Sequence, residues 1–265
     1  MLASCPSTPP VGRTGPRAHR EVASRHWFFL ADWVNVLMIH FEVDAAALQQ
    51  ATPFPLDLYE GRAFVSTVAF TMRRMRPYAS GAWTERWFRP IATHAFLNVR
   101  TYVQVRGETG ICFLAEWIPN RLSYWLGGPL FGLPYRLGRL EYQQDFSRSI
   151  QAFRGTVTDA RTSRAFRYRG AIEHTSCPYG PCQPGSLEEW LMERYAAFTY
   201  RKGVARRFHV EHAPWQQIPT GIEIEEASLL TRSWPWFGHS QLVGANASPG
   251  FCDVRMERPG KFTNG

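Results

Sequence analysis

Residues 94–117 read HAFLNVRTYVQVRGETGICFLAEW, two apolar runs joined by Arg-Gly-Glu-Thr-Gly. Side chains of a strand alternate between its two faces. Ala95, Leu97, Val99, Thr101 and Val103 then share one face, and His94, Phe96, Asn98, Arg100, Tyr102 and Gln104 the other. A face turned to water usually carries Lys, Glu and Ser, so this second face suits a ligand or an internal polar network. Arg100 could supply a planar, fixed charge for an anion. Asn98 and Tyr102 could orient it by hydrogen bonds, with Phe96, Phe113 and Trp117 as apolar walls. The bland alternative is that Asn98, Arg100 and Tyr102 tie the hairpin to its neighbours.

Glu116 ends an apolar run beside Trp117, and a buried carboxylate needs a partner or it protonates. His94 and His212 are further candidates for the same site. Hairpin register decides whether Arg100 meets Glu116. A two-residue Gly107-Glu108 loop of type II′ pairs Arg106 with Thr109. Arg100 then lies opposite Ala115, Asn98 opposite Trp117, and Glu116 points to the other face. A three-residue loop would place Arg100 across from Glu116 instead. A slip of one residue exchanges the faces. The Gly-Glu loop is the expectation, leaving Arg100 free of Glu116.

His174, Cys177 and Cys182 form H-x2-C-x4-C, which supplies three of the four ligands of a structural zinc site. Without a fourth they are weak candidates, and neither a metal nor another cofactor is expected. His209 and His212, three apart on a strand, fall on opposite faces. There is no G-x-S-x-G elbow, P-loop or H-E-x-x-H motif. Among the carboxylates, Glu193 is expected to pair with an arginine on a helix surface.

Lys and Arg total 30 against 22 Asp and Glu, giving a formal charge of +8. Only Lys202 and Lys261 are lysines. No basic run or zinc-finger spacing marks a nucleic-acid partner. No apolar run approaches the roughly 20 residues that cross a bilayer, so no membrane partner is expected. Five scattered cysteines make no disulfide framework, and a cytoplasmic location is the default.

The elements that would position these residues read as follows. Residues 1–20 hold four prolines and little apolar surface, and are expected to be a disordered tail. NVLMIHFEV reads as a strand, followed by an Asp44-capped helix. A hairpin turns at Glu60-Gly61, and the second is the one above. NRLSYWLGGPLFGLPYR suggests a short helix broken by Gly127, Gly128 and Pro129. Ser186 should cap a helix with Glu189 at the capping-box position, with helical spacing running on to Tyr195 and Phe198. Late strands follow, and residues 259–265 should fray. About ten strands and three helices give an α+β chain with one domain over 21–258, dominated by a curled antiparallel sheet.

NVRTYV (98–103), GLPYR (132–136), LMERYAAFTY (191–200), VEHAPW (210–215) and SPGFCDVR (248–255) occur in an order that resembles the uncharacterised YqjF-like family. That resemblance implies a fold similar to acetoacetate decarboxylase: a cone-like antiparallel β-barrel with a few flanking helices and a central cavity. Many relatives have a glutamate where this chain has Phe96. The decarboxylase uses a Schiff-base lysine, and here no lysine precedes residue 202, so imine chemistry is not expected. The leading expectation is a binder of a small anionic or polar-aromatic molecule. Two alternatives stay open. One is an enzyme without a Schiff-base lysine, lyase- or hydrolase-like on an oxo acid, using Glu116 or a histidine with Arg100. The other is a non-catalytic interaction module with a plugged barrel, able to form an oligomer.

Overall fold

The structure, a computed structural model, describes residues 27–79, 85–146, 151–172 and 179–262. The expected tail over 1–20 lies outside these residues, as do His174 and Cys177. Among the described residues there are thirteen strands: β1 Trp27–Val43, β2 Ala63–Pro77, β3 His94–Val105, β4 Glu108–Ile118, β5 Tyr135–Gln143, β6 Gln151–Asp159, β7 Ala165–Ile172, β8 Ala196–Arg201, β9 Val204–Glu211, β10 Ile218–Pro219, β11 Gly221–Glu226, β12 Gln241–Glu257 and β13 Gly260–Phe262. The helices are α1 Ala45–Gln49, α2 Glu85–Ala92, α3 Arg121–Phe131, α4 Leu187–Met192 and α5 Ser228–Ser233, with a 3-10 turn over Pro235–His239. This is an α+β fold in which sheet predominates.

The sheet is mixed. Most pairings are antiparallel, but β4 runs parallel to both β5 and β8. Pairings from β4 through β3, β2, β1, β12, β9 and β8 return to β4. The β5–β6–β7–β11 wing continues from β4. Both faces of β3 are therefore buried. Leu97, Val99, Ala115 and Trp117 share a core with Phe153, Val157 and Phe166 of the wing. Phe96 packs in a second core with Met38, Val68, Phe70 and Ile118.

Three tight hairpins use an X-Gly pair with both residues at positive φ: Glu60-Gly61, Arg106-Gly107 and Lys202-Gly203. That is the geometry of a type I′ turn, whose twist matches that of the flanking strands. The first lies where the sequence placed it. The second is one residue earlier than Gly107-Glu108, with Val105 paired to Glu108. The Asp44 side chain caps α1 through the Ala47 N–H.

Three elements differ from the sequence reading. Helix α3 runs through its glycines and Pro129 rather than breaking there, capped by Asn120 and closed by Gly132 in the left-handed region. The glycines serve packing: a Cβ on Gly127 would sit 2.3 Å from the Tyr135 ring, and one on Gly128 2.0 Å from the Arg201 guanidinium. Helix α4 stops at Met192, and Ala196–Arg201 is strand β8, where Phe198 is buried. Ser186 does accept from the Glu189 N–H, while the Glu189 carboxylate accepts from Gly185. Finally, Gly260–Phe262, expected to fray, pair with β9 and bring Phe262 against Phe54 and Phe198.

Candidate functional site

One face of β1–β4 repeats in rows across the sheet. Met38, Val68, Asn98 and Glu116 are register partners in one row, and His40, Ser66, Arg100 and Phe113 in the next. This face looks into a cavity of about 700 Å³, a size suited to a small organic ligand. Its lining is mainly aromatic and aliphatic, including Trp33, Phe70, Met72, Phe131 and Trp215.

Glu116 reaches this cavity because of a bulge. Arg100 pairs with Phe113 but Val99 with Ala115, so Leu114 is the extra residue of β4. An inserted residue inverts the alternation beyond it. Phe113 faces the cavity before the bulge and Glu116 after it, while Trp117 turns to the opposite core. Neither loop considered from the sequence gives this register. The expectation that Arg100 and Glu116 point to opposite faces is therefore wrong. They are nonetheless not paired: the guanidinium contacts the Met38 sulfur and the Leu191 carbonyl, at 3.4 and 3.3 Å, and interacts with Tyr102, with no carboxylate on it among the described residues.

Phe96, Asn98, Arg100, Phe113, Glu116, His94 and His212 all line the cavity. Two of the expected site residues, the wall residue Trp117 and the orienting residue Tyr102, do not. Trp117 donates its indole N–H to Asp159 at 3.1 Å on the far side of the sheet. Tyr102 sits one row beyond Arg100, fully buried, with its hydroxyl on Ser66 at 2.5 Å, and Ser66 in turn contacts His40 Nδ1 at 2.7 Å. Tyr102 thus anchors a buried hydrogen-bond chain behind the cavity rather than its surface.

Arg100 is 6% exposed and has no carboxylate partner. Burial pulls its pKa down, Tyr102 opposes this through its charge and a hydrogen bond, and the Arg194 charge lowers it further. Arg194, missed in the sequence, lines the same end but is already neutralised by Asp57 at 2.7 Å and stacked over Trp190. Burial pushes the Glu116 carboxyl up to about 8, so it is mostly protonated at neutral pH. Burial also holds His94 and His212 down to about 4, hence neutral.

Buried polar atoms without a partner concentrate here. Arg100 Nε, Asn98 Oδ1, Trp215 Nε1, Ser123 Oγ and one Arg194 nitrogen have none among the described residues. Leaving such groups unpaired costs about 1–3 kcal/mol each. The sequence signal for Trp215 was its place in VEHAPW; nothing marked Ser123.

The remaining candidates act elsewhere. His209 bridges Glu108 and Glu257 at 2.7 Å each. Glu193 accepts from the Trp215 N–H and the Tyr195 hydroxyl rather than from a surface arginine. Cys182 is buried against the Met192 sulfur, and burial raises its thiol to about 11. Cys112 and Cys182 are free, whereas Cys252 is disulfide-bonded. Lys202 and Lys261 are both exposed, and neither lines the cavity. No helix among the described residues is long and apolar enough to cross a membrane.

The profile of DUF2071, described as an uncharacterized conserved protein, matches residues 30–236. The chain belongs to this family. It is 27% identical over 197 residues to the uncharacterized protein YqjF of Bacillus subtilis, covering 71% of this chain and 74% of that one. An acetoacetate decarboxylase-like enzyme from Sphingomonas wittichii superposes with a TM-score of 0.60 at 15% identity, covering 96% of this chain and all of the other. Acetoacetate decarboxylase from Legionella pneumophila gives 0.61 at 11% identity, over 96% and 99%. The enduracididine biosynthesis enzyme MppR complexed with pyruvate gives 0.58 at 13%, over 97% and 99%. These likenesses establish an acetoacetate decarboxylase-like fold.

Proposed function

We propose that this chain binds a small organic anion with an apolar or aromatic body, its carboxylate on Arg100. In this reading the circuit of strands is a cone-like barrel and the cavity its interior. The observation that carries it is the Arg100 guanidinium, buried at the cavity wall beside a thioether, one carbonyl and the Tyr102 hydroxyl, with no carboxylate on it among the described residues. A buried charge without a counter-charge is costly, and a ligand carboxylate would relieve that cost with charge-assisted hydrogen bonds. Asn98 and the Trp215 indole N–H would orient the head, and Phe96, Phe70 and Phe113 would hold the body. The MppR complex, with its pyruvate, supports an acidic ligand by analogy of fold alone. The open volume weighs against an interior filled by side chains.

Calorimetric titration of aromatic and branched carboxylates beside their carboxamides tests this. The carboxylates should bind and the neutral amides should lose at least about tenfold in affinity, the scale of one charged hydrogen bond. Arg100→Met should abolish the preference while leaving the thermal midpoint equal or higher, because it removes an unpaired buried charge. Equal binding of acid and amide would overturn the reading.

A second reading has its own support in Glu116. A protonated carboxyl in register with Asn98, one row from Arg100, could exchange a proton with a bound oxo acid. Turnover of 2-oxo or 3-oxo acids by the wild type but not by Glu116→Gln would favour this enzyme. It would proceed without a lysine imine.

A further inference from the structure

Helix α3, RLSYWLGGPLF, is apolar nearly all round, a pattern that belongs to a helix buried on every side. Only one side is buried. Ser123, Gly128 and Phe131 face the protein, while Leu122, Trp125, Leu126 and Leu130 form an outward stripe, with Trp125 72% exposed. On α2, Trp87 is 77% exposed. It lies one turn before Pro90, whose carbonyl accepts from the Asn120 amide that caps α3. These five residues are most of the large exposed hydrophobics among the described residues.

Two further features say what covers this face. Trp125, Leu126 and Leu130 also line the cavity, so the patch is its rim, and a rigid protein partner seated there would stop the cavity. The charged frame is mainly positive as well. Arg86, Arg89 and Arg121 are exposed on these two helices, whose sequences contain one acidic residue, Glu85. Tryptophans and leucines framed by arginines match a lipid interface, where indoles sit at headgroup depth and cations meet anionic lipids. A fluid surface can cover the patch and still let an amphipathic molecule pass.

We propose that the α2–α3 face docks peripherally on an anionic lipid surface, with the cavity mouth against it. The sequence excluded a spanning segment, and peripheral docking needs none. The docking itself involves no cavity ligand, so its test is separate from that of Arg100. The full chain is sedimented with phosphatidylcholine vesicles with and without phosphatidylglycerol. Binding should require the anionic lipid, weaken with salt, and fall by roughly tenfold or more in the Trp87→Ser/Trp125→Ser double variant. Its thermal midpoint should match the wild type, since both indoles are exposed. Three results would overturn the proposal: no binding to anionic vesicles, binding indifferent to the two tryptophans, or a dimer by light scattering that the double variant dissociates. The last would assign the face to a second copy of this chain.

Discussion

Glu116 and Arg100 illustrate how much a single residue's placement decides. Glu116 is a carboxyl whose pKa burial raises from 4.5 to about 8. Between those values the folded chain holds a proton that the unfolded chain has lost, so stability falls as pH rises through the window. Glu116→Gln removes the effect. The variant should match the wild type near pH 4 and exceed it above about pH 8 by a few kcal/mol, since each tenfold difference in proton affinity is worth roughly 1.4 kcal/mol. Urea unfolding across pH measures the difference, and a constant difference would mean Glu116 has a partner in the fold. Carboxylate affinity should weaken over the same alkaline range, because an ionised Glu116 would repel a second carboxylate one row away.

At the scale of elements, the turns and the bulge set what faces the cavity. Asn is favoured at the first position of a type I′ turn, so Arg106→Asn should stabilise the protein by a few tenths of a kcal/mol. Gly107→Ala should destabilise it by about 1 kcal/mol, because φ is +80° there. Denaturant midpoints distinguish the two. Gly127→Ala should cost about 1–3 kcal/mol by pushing a methyl into the Tyr135 ring, and a neutral result would mean α3 lies further from β5. The alternating pattern of 94–104 was legible in the sequence, and with it the part of the cavity wall that carries His94, Phe96, Asn98 and Arg100. The Leu114 bulge was not, because a bulge leaves no compositional mark in an apolar run. That one residue exchanged Glu116 and Trp117 between faces. Phe198 was likewise misread as helical, since AAFTY is apolar at both periods and only its pairing with β4 and β9 selects the strand.

At the scale of the whole molecule, three of the described histidines are held neutral by desolvation: His40, at about 3, and His94 and His212, at about 4. Each pKa lies below the ordinary 6.5, so the unfolded chain binds protons first as pH falls. Stability should decline from about pH 6.5 towards pH 4, three groups outweighing the opposite effect of Glu116, for a net loss of several kcal/mol. Equal unfolding free energies at both ends would show that these rings are protonated in the fold. The same burial that holds them neutral leaves Arg100 as the cavity's one cation without a carboxylate among the described residues. The most direct test of that role is a crystal structure with an iodinated aromatic carboxylate. Anomalous scattering should place the iodine among Phe70, Phe96 and Phe113, with the carboxylate oxygens about 2.7–2.9 Å from the Arg100 guanidinium. A ligand bound with its carboxylate turned away from Arg100, or a cavity that stays without it at saturating concentration, would contradict the account.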